Sequence, residues 1–384
     1  MQQQTKDTRG PDGAWAHDVL LWPFTAAKLA LDAYFWWLDD GSRSYDRRGE
    51  TSLPWTTPNT IRLQLPSMRL RDFSCRDVGR PVLVCAPCAL HGSLIADFAS
   101  GHSVLEALQQ SGLHRVYLTD WRSAEPDMRY FSIDSYLADL NIAIDEIGPP
   151  VDLVGLCQGG WLSLVYAARF AEKVRRLVLV GTPVDVSVQS ELSRAVANVP
   201  TQALDELVRR AGIVSGERML LVWGRSFSLR YAEAALQRNL TDEIGESRTL
   251  LDRFERWHGE PLDLPGTYYL EVTDWIFREN RIAQGSFIAL GRKIDLAEVR
   301  VPVFLLAGED DEVVPLDQAF ATARLLGTPP ACIETGGEPC GHLGLFMGRT
   351  TLSHSWRRIG RWLETDLPEF RSELSQGGPS DPHH

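Results

Sequence analysis

The stretch Gly155-Leu156-Cys157-Gln158-Gly159 sets a nucleophilic thiol between two glycines. It follows an apolar run, Val151 to Val154, and precedes a helix-like run, Trp161 to Phe170. Strand, sharp turn and helix are expected, with a strained elbow presenting the middle side chain to a substrate. Serine is the usual occupant of such an elbow; cysteine predicts acyl transfer through a thioester. A nucleophile of this kind needs a base within hydrogen-bond reach and a carboxylate to orient that base. Chain order in such folds places the acid after a later strand and the histidine later still. Both are present. The apolar run Val301 to Ala307 leads into Gly308-Glu309-Asp310-Asp311-Glu312 and on to Pro315. Asp311 is the expected acid, with Asp310 the alternative. Pro339 to Gly344 holds His342 between glycines, ahead of the last helical pattern. Each motif alone is weak. Their order and placement together predict a Cys157–His342–Asp311 triad.

In that triad His342 takes the thiol proton, while Asp311 holds the imidazole's tautomer and stabilises its positive form. A helix beginning at Gln158 points its positive dipole end at the Cys157 sulfur. An oxyanion formed during acyl transfer needs two backbone N–H donors. One is expected from Gln158, the other from Cys88 or Ala89 in the loop after the strand at 82–86. His91 of that loop is either a substrate contact or a plain loop histidine. Trp161 is the other expected substrate contact.

These groups need elements to position them. Leu63 to Asp72 and Asp77 to Val84 read as opening strands, and the apolar run Pro81 to Pro87 reads as buried. Helical patterns over Ser103 to Gln110 and Ile133 to Ile147 alternate with strand patterns over Val116 to Trp121 and Val174 to Gly181. Such alternation predicts a parallel sheet with right-handed crossovers. The rhythm is lost over 184–283, which is mainly helical and rich in aromatics, as a cap over the active site would be. A helical subdomain without a role in access is the other reading. Ala14 to Leu38 forms an aromatic helix, kinked at Pro23, that either packs on the main domain or offers a surface to a partner, an oligomer or a granule. Residues 1–13 are expected to be disordered.

The 384 residues suffice for one large α/β domain with an insertion or for two ordinary domains. A net charge of −12 with no basic patch argues against nucleic acid. Nine scattered histidines show no ligand spacing, so no metal site is expected. Six cysteines form no disulfide framework, and Cys85-x-x-Cys88 reads better as small buried residues than as a redox pair. The polar N-terminus lacks a signal-peptide core, and no run is long enough to span a bilayer, so a cytoplasmic protein is expected.

With these residues placed, the chain resembles the poly(3-hydroxyalkanoate) synthase and intracellular depolymerase superfamily. The elbow and its surroundings, Leu153 to Trp161 through Thr182 to Asp185, are similar to the short synthases that work with a separate subunit. Trp257-His258 through Leu264-Pro265-Gly266, then Tyr269 to Asn280 and Gly285, resemble a synthase segment. Gly341 to Gly348 looks like the histidine loop of both groups. Val116 to Trp121 and the Cys340-Gly341-His342 loop stand at least as close to depolymerases. The resemblance implies an α/β-hydrolase fold, a mostly parallel sheet with helices on both faces and a helical cap insertion. Its parts would be an N-terminal tail and helix at 1–60, core at 61–183 and 284–366, cap at 184–283 and a tail at 367–384. It also implies that Cys157 is acylated by a 3-hydroxyacyl group from a coenzyme A thioester. Coenzyme A enters there as part of the substrate, no other cofactor is needed, and polyester, a granule surface or a homodimer supplies further partners. Synthesis is the leading function; hydrolysis by the same triad, as a depolymerase or thioesterase, is the alternative. A non-catalytic granule protein is the third reading, and the intact Cys, His and Asp set argues against it.

Overall fold

The apolar runs become the strands of one eight-stranded sheet: β1 (Thr60–Gln64), β2 (Met68–Asp72), β3 (Pro81–Cys85), β4 (Arg115–Trp121), β5 (Val151–Leu156), β6 (Val174–Val180), β7 (Val303–Gly308) and β8 (Ile333–Glu338). The computed structural model describes residues 53–365, apart from 189, 199–207, 209–211, 224–231, 233–234 and 237–243. These belong to a compact unit, Arg48–His384; a separate unit, Met1–Arg47, and the expected aromatic helix in it lie outside the described residues, as does 366–384.

The spatial order is β1-β2-β4-β3-β5-β6-β7-β8, parallel from β4 to β8, with β1 and β2 antiparallel at one edge. Strands β3, β5 and β7 are buried along their whole length, which is why they are continuous apolar runs rather than alternating ones. The edge strands differ. β1 is largely exposed, and β8 carries Glu334, Gly336, Gly337 and Glu338 in place of branched apolar residues. The single strand expected over Leu63 to Asp72 is a hairpin, because Pro66 and Ser67 turn the chain and Leu65 N–H donates to Met68 O at 2.8 Å.

Helix α1 (Val104–Gln110) starts at Ser103, whose hydroxyl accepts the Glu106 N–H at 3.0 Å. Helix α2 (Ile133–Ile147) covers the span its apolar periodicity predicted. Helix α3 (Gln158–Arg169) is buried over most of its length against β5 and β6, so it has almost no polar face. Its approach to the sheet explains the glycines of the elbow. A Cβ built on Gly155 would lie 2.4 Å from Gly160 Cα, and one on Gly159 would lie 2.1 Å from Cys85 O. No side chain fits at either place.

The segment 184–283 contains the helices Glu191–Asn198, Gly216–Trp223, Ile244–His258 and Gly266–Glu271, then a π-helical turn, Val272–Arg278. It is not purely helical: Ile213–Val214 pairs antiparallel with Leu264–Pro265. Its two ends are clasped. Asn280 Nδ2 donates to Asp185 Oδ1 at 2.9 Å, and Asn280 Oδ1 accepts from Val186 N–H at 3.2 Å. Asn280 adopts φ 50°, a region asparagine tolerates better than most residues. Two substitutions separate these roles. Asn280→Gly relieves the backbone and loses only the clasp, whereas Asn280→Ala loses both, so the alanine variant is expected to be the less stable by about 1 kcal/mol in urea unfolding.

Asp97 is a second anchor, and its role is structural. Its carboxylate is fully buried and accepts hydrogen bonds from Thr56 N–H, Thr57 N–H, Thr57 Oγ1 and Ser103 Oγ, at 2.6–2.8 Å. It therefore holds residues 56–57 and the start of α1 together. Asp97→Ala leaves those donors buried and unanswered, and is expected to lower the unfolding free energy by about 3 kcal/mol in urea titration.

Candidate active site

Three strands deliver three groups to one edge of the sheet. Cys157 follows directly on β5, Asp311 lies just past the end of β7 and His342 just past β8. The parallel register of β7 with β8, Gly308 opposite Glu338, continues into the loops: Glu309 N–H donates to Glu338 O at 2.8 Å and Asp310 N–H to Cys340 O at 3.2 Å. That pairing brings the acid to the histidine. His342 Nδ1 stands 2.7 Å from Asp311 Oδ2, and both residues are 5% exposed. Asp311 Oδ1 accepts the N–H groups of Val313 and Val314, each at 2.9 Å, which fixes the carboxylate. Asp310, the alternative acid, is turned to the surface.

Cys157 sits at φ 49°, ψ −117°, a strained conformation for a residue with a side chain, worth about 1–3 kcal/mol. Cys157 N–H donates to Val180 O at 2.8 Å and its own carbonyl accepts from Gly160 N–H at 2.9 Å, so the elbow is held from both sides. Its side chain and the His342 ring line the same cavity and interact electrostatically. Burial disfavours the imidazolium, but the Asp311 carboxylate and then Cys157 outweigh it and hold the His342 pKa well above its ordinary value. With Nδ1 committed to Asp311, Nε2 is left for the thiol. Gly181 makes room for this ring: at φ 54° it carries no Cβ, and one built there would lie 3.2 Å from His342 Cε1.

Above Cys157 opens a largely apolar cavity of about 1020 Å³ of non-atom space, its mouth included, walled by residues of the sheet domain and of segment 184–283 such as Ile95, Met219, Tyr268, Val272 and Phe277. Met219 and Val272 carry no signal in the sequence, and Phe277 reads there only as one of the aromatics of 184–283, since an apolar residue looks the same whether it lines a cavity or fills a core. Gln158 borders the cavity, and its N–H at the first residue of α3 has no acceptor within the helix. Ala89 borders the cavity too. Cys88 does not: its side chain is buried against Tyr136 and Tyr268, and its carbonyl accepts from Tyr268 Oη at 3.1 Å.

His91 lines the cavity and is buried. Its ring stacks on Trp257 at 4.2 Å and its Nε2 lies 3.1 Å from His258 Nδ1. Burial first, and the neighbouring His258 second, pull its pKa down to about 3, so it is neutral at working pH. Trp161 is placed differently from expectation. It is wholly buried beside Phe287, 6.5 Å between ring centroids, and does not line the cavity, because helix α3 carries it away from the elbow into the core. Cys85 and Cys88 are both free and buried, and burial pushes each thiol up to about 12, which fits small core residues. Among the described residues no cluster of three or more His, Cys, Asp or Glu could hold a metal, and no helix is long and apolar enough to cross a membrane.

Curated proteins similar to the chain include the poly(3-hydroxyalkanoate) polymerase subunit PhaC of Allochromatium vinosum, 28% identical over 280 residues, covering 70% of this chain and 76% of that one. The subunit of the same name from Synechocystis sp. is 28% identical over 284 residues, covering 70% and 74%. Among solved structures, the monoacylglycerol lipase of Paleococcus ferrophilus superposes with a TM-score of 0.51 at 16% identity, over 77% of this chain and 98% of that one, a likeness of fold alone. The family model described as "alpha/beta hydrolase fold" matches residues 81–347, the stretch that runs from β3 through the elbow and both later loops. By that match, and by the sheet order that sets these loops on one edge, the chain belongs to the alpha/beta hydrolase fold family.

Proposed function

We propose that this protein is a poly(3-hydroxyalkanoate) synthase-like acyltransferase acting on 3-hydroxyacyl thioesters of coenzyme A. The observation that carries the reading is a thiol at the elbow, sharing an apolar cavity with a buried, hydrogen-bonded His–Asp pair. The polymerase subunits to which the chain is similar support the choice of substrate.

The Cys157 sulfur attacks the thioester carbonyl, and the N–H of Gln158 with one from the Cys88–Ala89 loop holds the oxyanion. Collapse breaks the bond to the coenzyme A sulfur, which leaves as a thiol with the proton of His342. The hydroxyl of a second hydroxyacyl unit then gives its proton to His342 and attacks the Cys157 thioester, forming the new ester and freeing the cysteine. All these steps run on the chain's own groups, and coenzyme A enters only as the leaving group. The product polyester would gather as a granule whose surface the enzyme shares.

Incubation with 3-hydroxybutyryl-coenzyme A, following free thiol and acyl product together, tests this. Thiol release with growing polyester is the expected result. Release with only free 3-hydroxybutyrate would reassign the protein to hydrolysis, and no release at all would overturn the choice of thioester.

A further inference from the structure

Several polar side chains around the cavity have protein partners. His91 pairs with His258 at 3.1 Å, Tyr268 Oη donates to Cys88 O at 3.1 Å, Thr273 Oγ1 donates to Tyr269 O at 2.8 Å, and His342 holds Asp311. Two lining residues are different: the Trp257 indole Nε1 is a buried donor without an acceptor, and the Gln158 side-chain oxygen Oε1 is a buried acceptor without a donor. Of the two, Gln158 stands next to Cys157 in the chain, and it borders the cavity together with Cys157 and His342. An amide oxygen taken from water without a donor costs about 1–3 kcal/mol. Beside the nucleophile, a bound molecule can recover that cost by bringing the donor.

The chemistry of the acyl group says which donor. A plain acyl chain has a thioester oxygen and methylenes, and no O–H or N–H. A 3-hydroxyacyl chain has one donor, its 3-hydroxyl, a few bonds from the carbon that Cys157 attacks. Gln158 directly follows Cys157, so its side chain is local to that part of the chain. A neutral amide also suits this place, because it accepts a hydrogen bond without adding charge beside the His342–Asp311 pair. Resting on the acyltransferase reading above, we propose that the Gln158 side-chain carbonyl accepts a hydrogen bond from the 3-hydroxyl of the acyl group loaded on Cys157. It thereby selects hydroxyacyl over plain and 3-oxoacyl groups. This role belongs to the side chain and is separate from that of the Gln158 backbone N–H.

Single-turnover acylation of the full chain tests it, using 3-hydroxybutyryl-, butyryl- and acetoacetyl-coenzyme A and reading thiol release with intact protein mass. The wild-type protein is expected to favour the hydroxyacyl thioester by about 10- to 100-fold in kcat/KM over either analogue. Acetoacetyl places an acceptor where the hydroxyl was and needs no variant, so it decides even if substitutions fold poorly. Gln158→Met keeps the length and removes the acceptor, and its ratio of hydroxybutyryl to butyryl should fall towards one. Equal rates in the wild type, or an undiminished ratio in the methionine variant, would overturn the assignment while leaving acyl transfer in place. Acylation by none of the three would remove the thioester reading itself, and this inference with it.

Discussion

Cys157→Ala is expected to abolish turnover, with a loss on the order of a thousandfold or more in kcat/KM, and to leave the fold intact. The asymmetry follows from the elbow. Alanine and cysteine meet the same backbone strain at φ 49°, and the N–H and C=O bonds that hold the turn, to Val180 and Gly160, involve no side chain. What disappears is the sulfur that His342 faces. Cys157→Ser is the more telling variant. A serine hydroxyl is a far weaker acid than a thiol, so its attack depends much more on His342 removing the proton. A thiol gives its proton to the imidazole far more readily than an alcohol does. Serine should therefore retain little activity, a loss on the order of a hundredfold or more. Thiol release from 3-hydroxybutyryl-coenzyme A, set beside thermal unfolding of each variant, reads both effects. Near-wild-type turnover in the alanine variant would take the nucleophile away from Cys157.

The site was legible in the sequence to the extent that its chemistry is local. Gly155, Cys157 and Gly159 mark an elbow because close packing and strain leave a signature in neighbouring residues. Asp311 is legible because it follows an apolar run that must be a strand, and His342 because it stands between glycines ahead of the last helical pattern; the strand before it, Ile333–Glu338, is too polar to be read from sequence. The choice of Asp311 over Asp310 matches the burial seen in the loop, where one carboxylate faces inward and the other outward. Trp161 shows the limit. A tryptophan near a nucleophile suggests a substrate contact, yet helical rotation decides which way it points, and here it points into the core. Asp97 and Asn280 show another. Their partners lie far along the chain, at Thr57 and Asp185, and no spacing rule connects such positions. The cavity wall is hardest of all, since hydrophobicity alone cannot separate a lining side chain from a core one. The N-terminal aromatic segment was read as a helix, and it lies outside the described residues.

Asp311→Asn carries the other large effect, because it changes the charge and tautomer of His342 with little change in shape. The asparagine amide can donate to Nδ1, which forces the proton onto Nε2 and leaves no lone pair there to receive the thiol proton. A loss of about a hundred- to ten-thousandfold in kcat/KM is expected, the range of such swaps in related triads. The electrostatics give the same variant a second signature. In the native protein the raised His342 pKa rests on the Asp311 carboxylate first and on Cys157 second, acting against burial. Remove the carboxylate and burial gains, so the His342 pKa must fall. The sign of the stability change follows. A folded-state pKa above the unfolded value of 6.5 contributes stability that is full below that pH and is lost as the pH rises through the folded value. Wild type should therefore lose unfolding free energy on going from pH 6 into the alkaline range, and Asp311→Asn should lose less of it. Urea unfolding of both proteins across that window, with pH–rate profiles beside it, measures the slope and the shift together. An unchanged slope in the variant would mean that Asp311 does not set the charge of His342, and the triad would lose its third member.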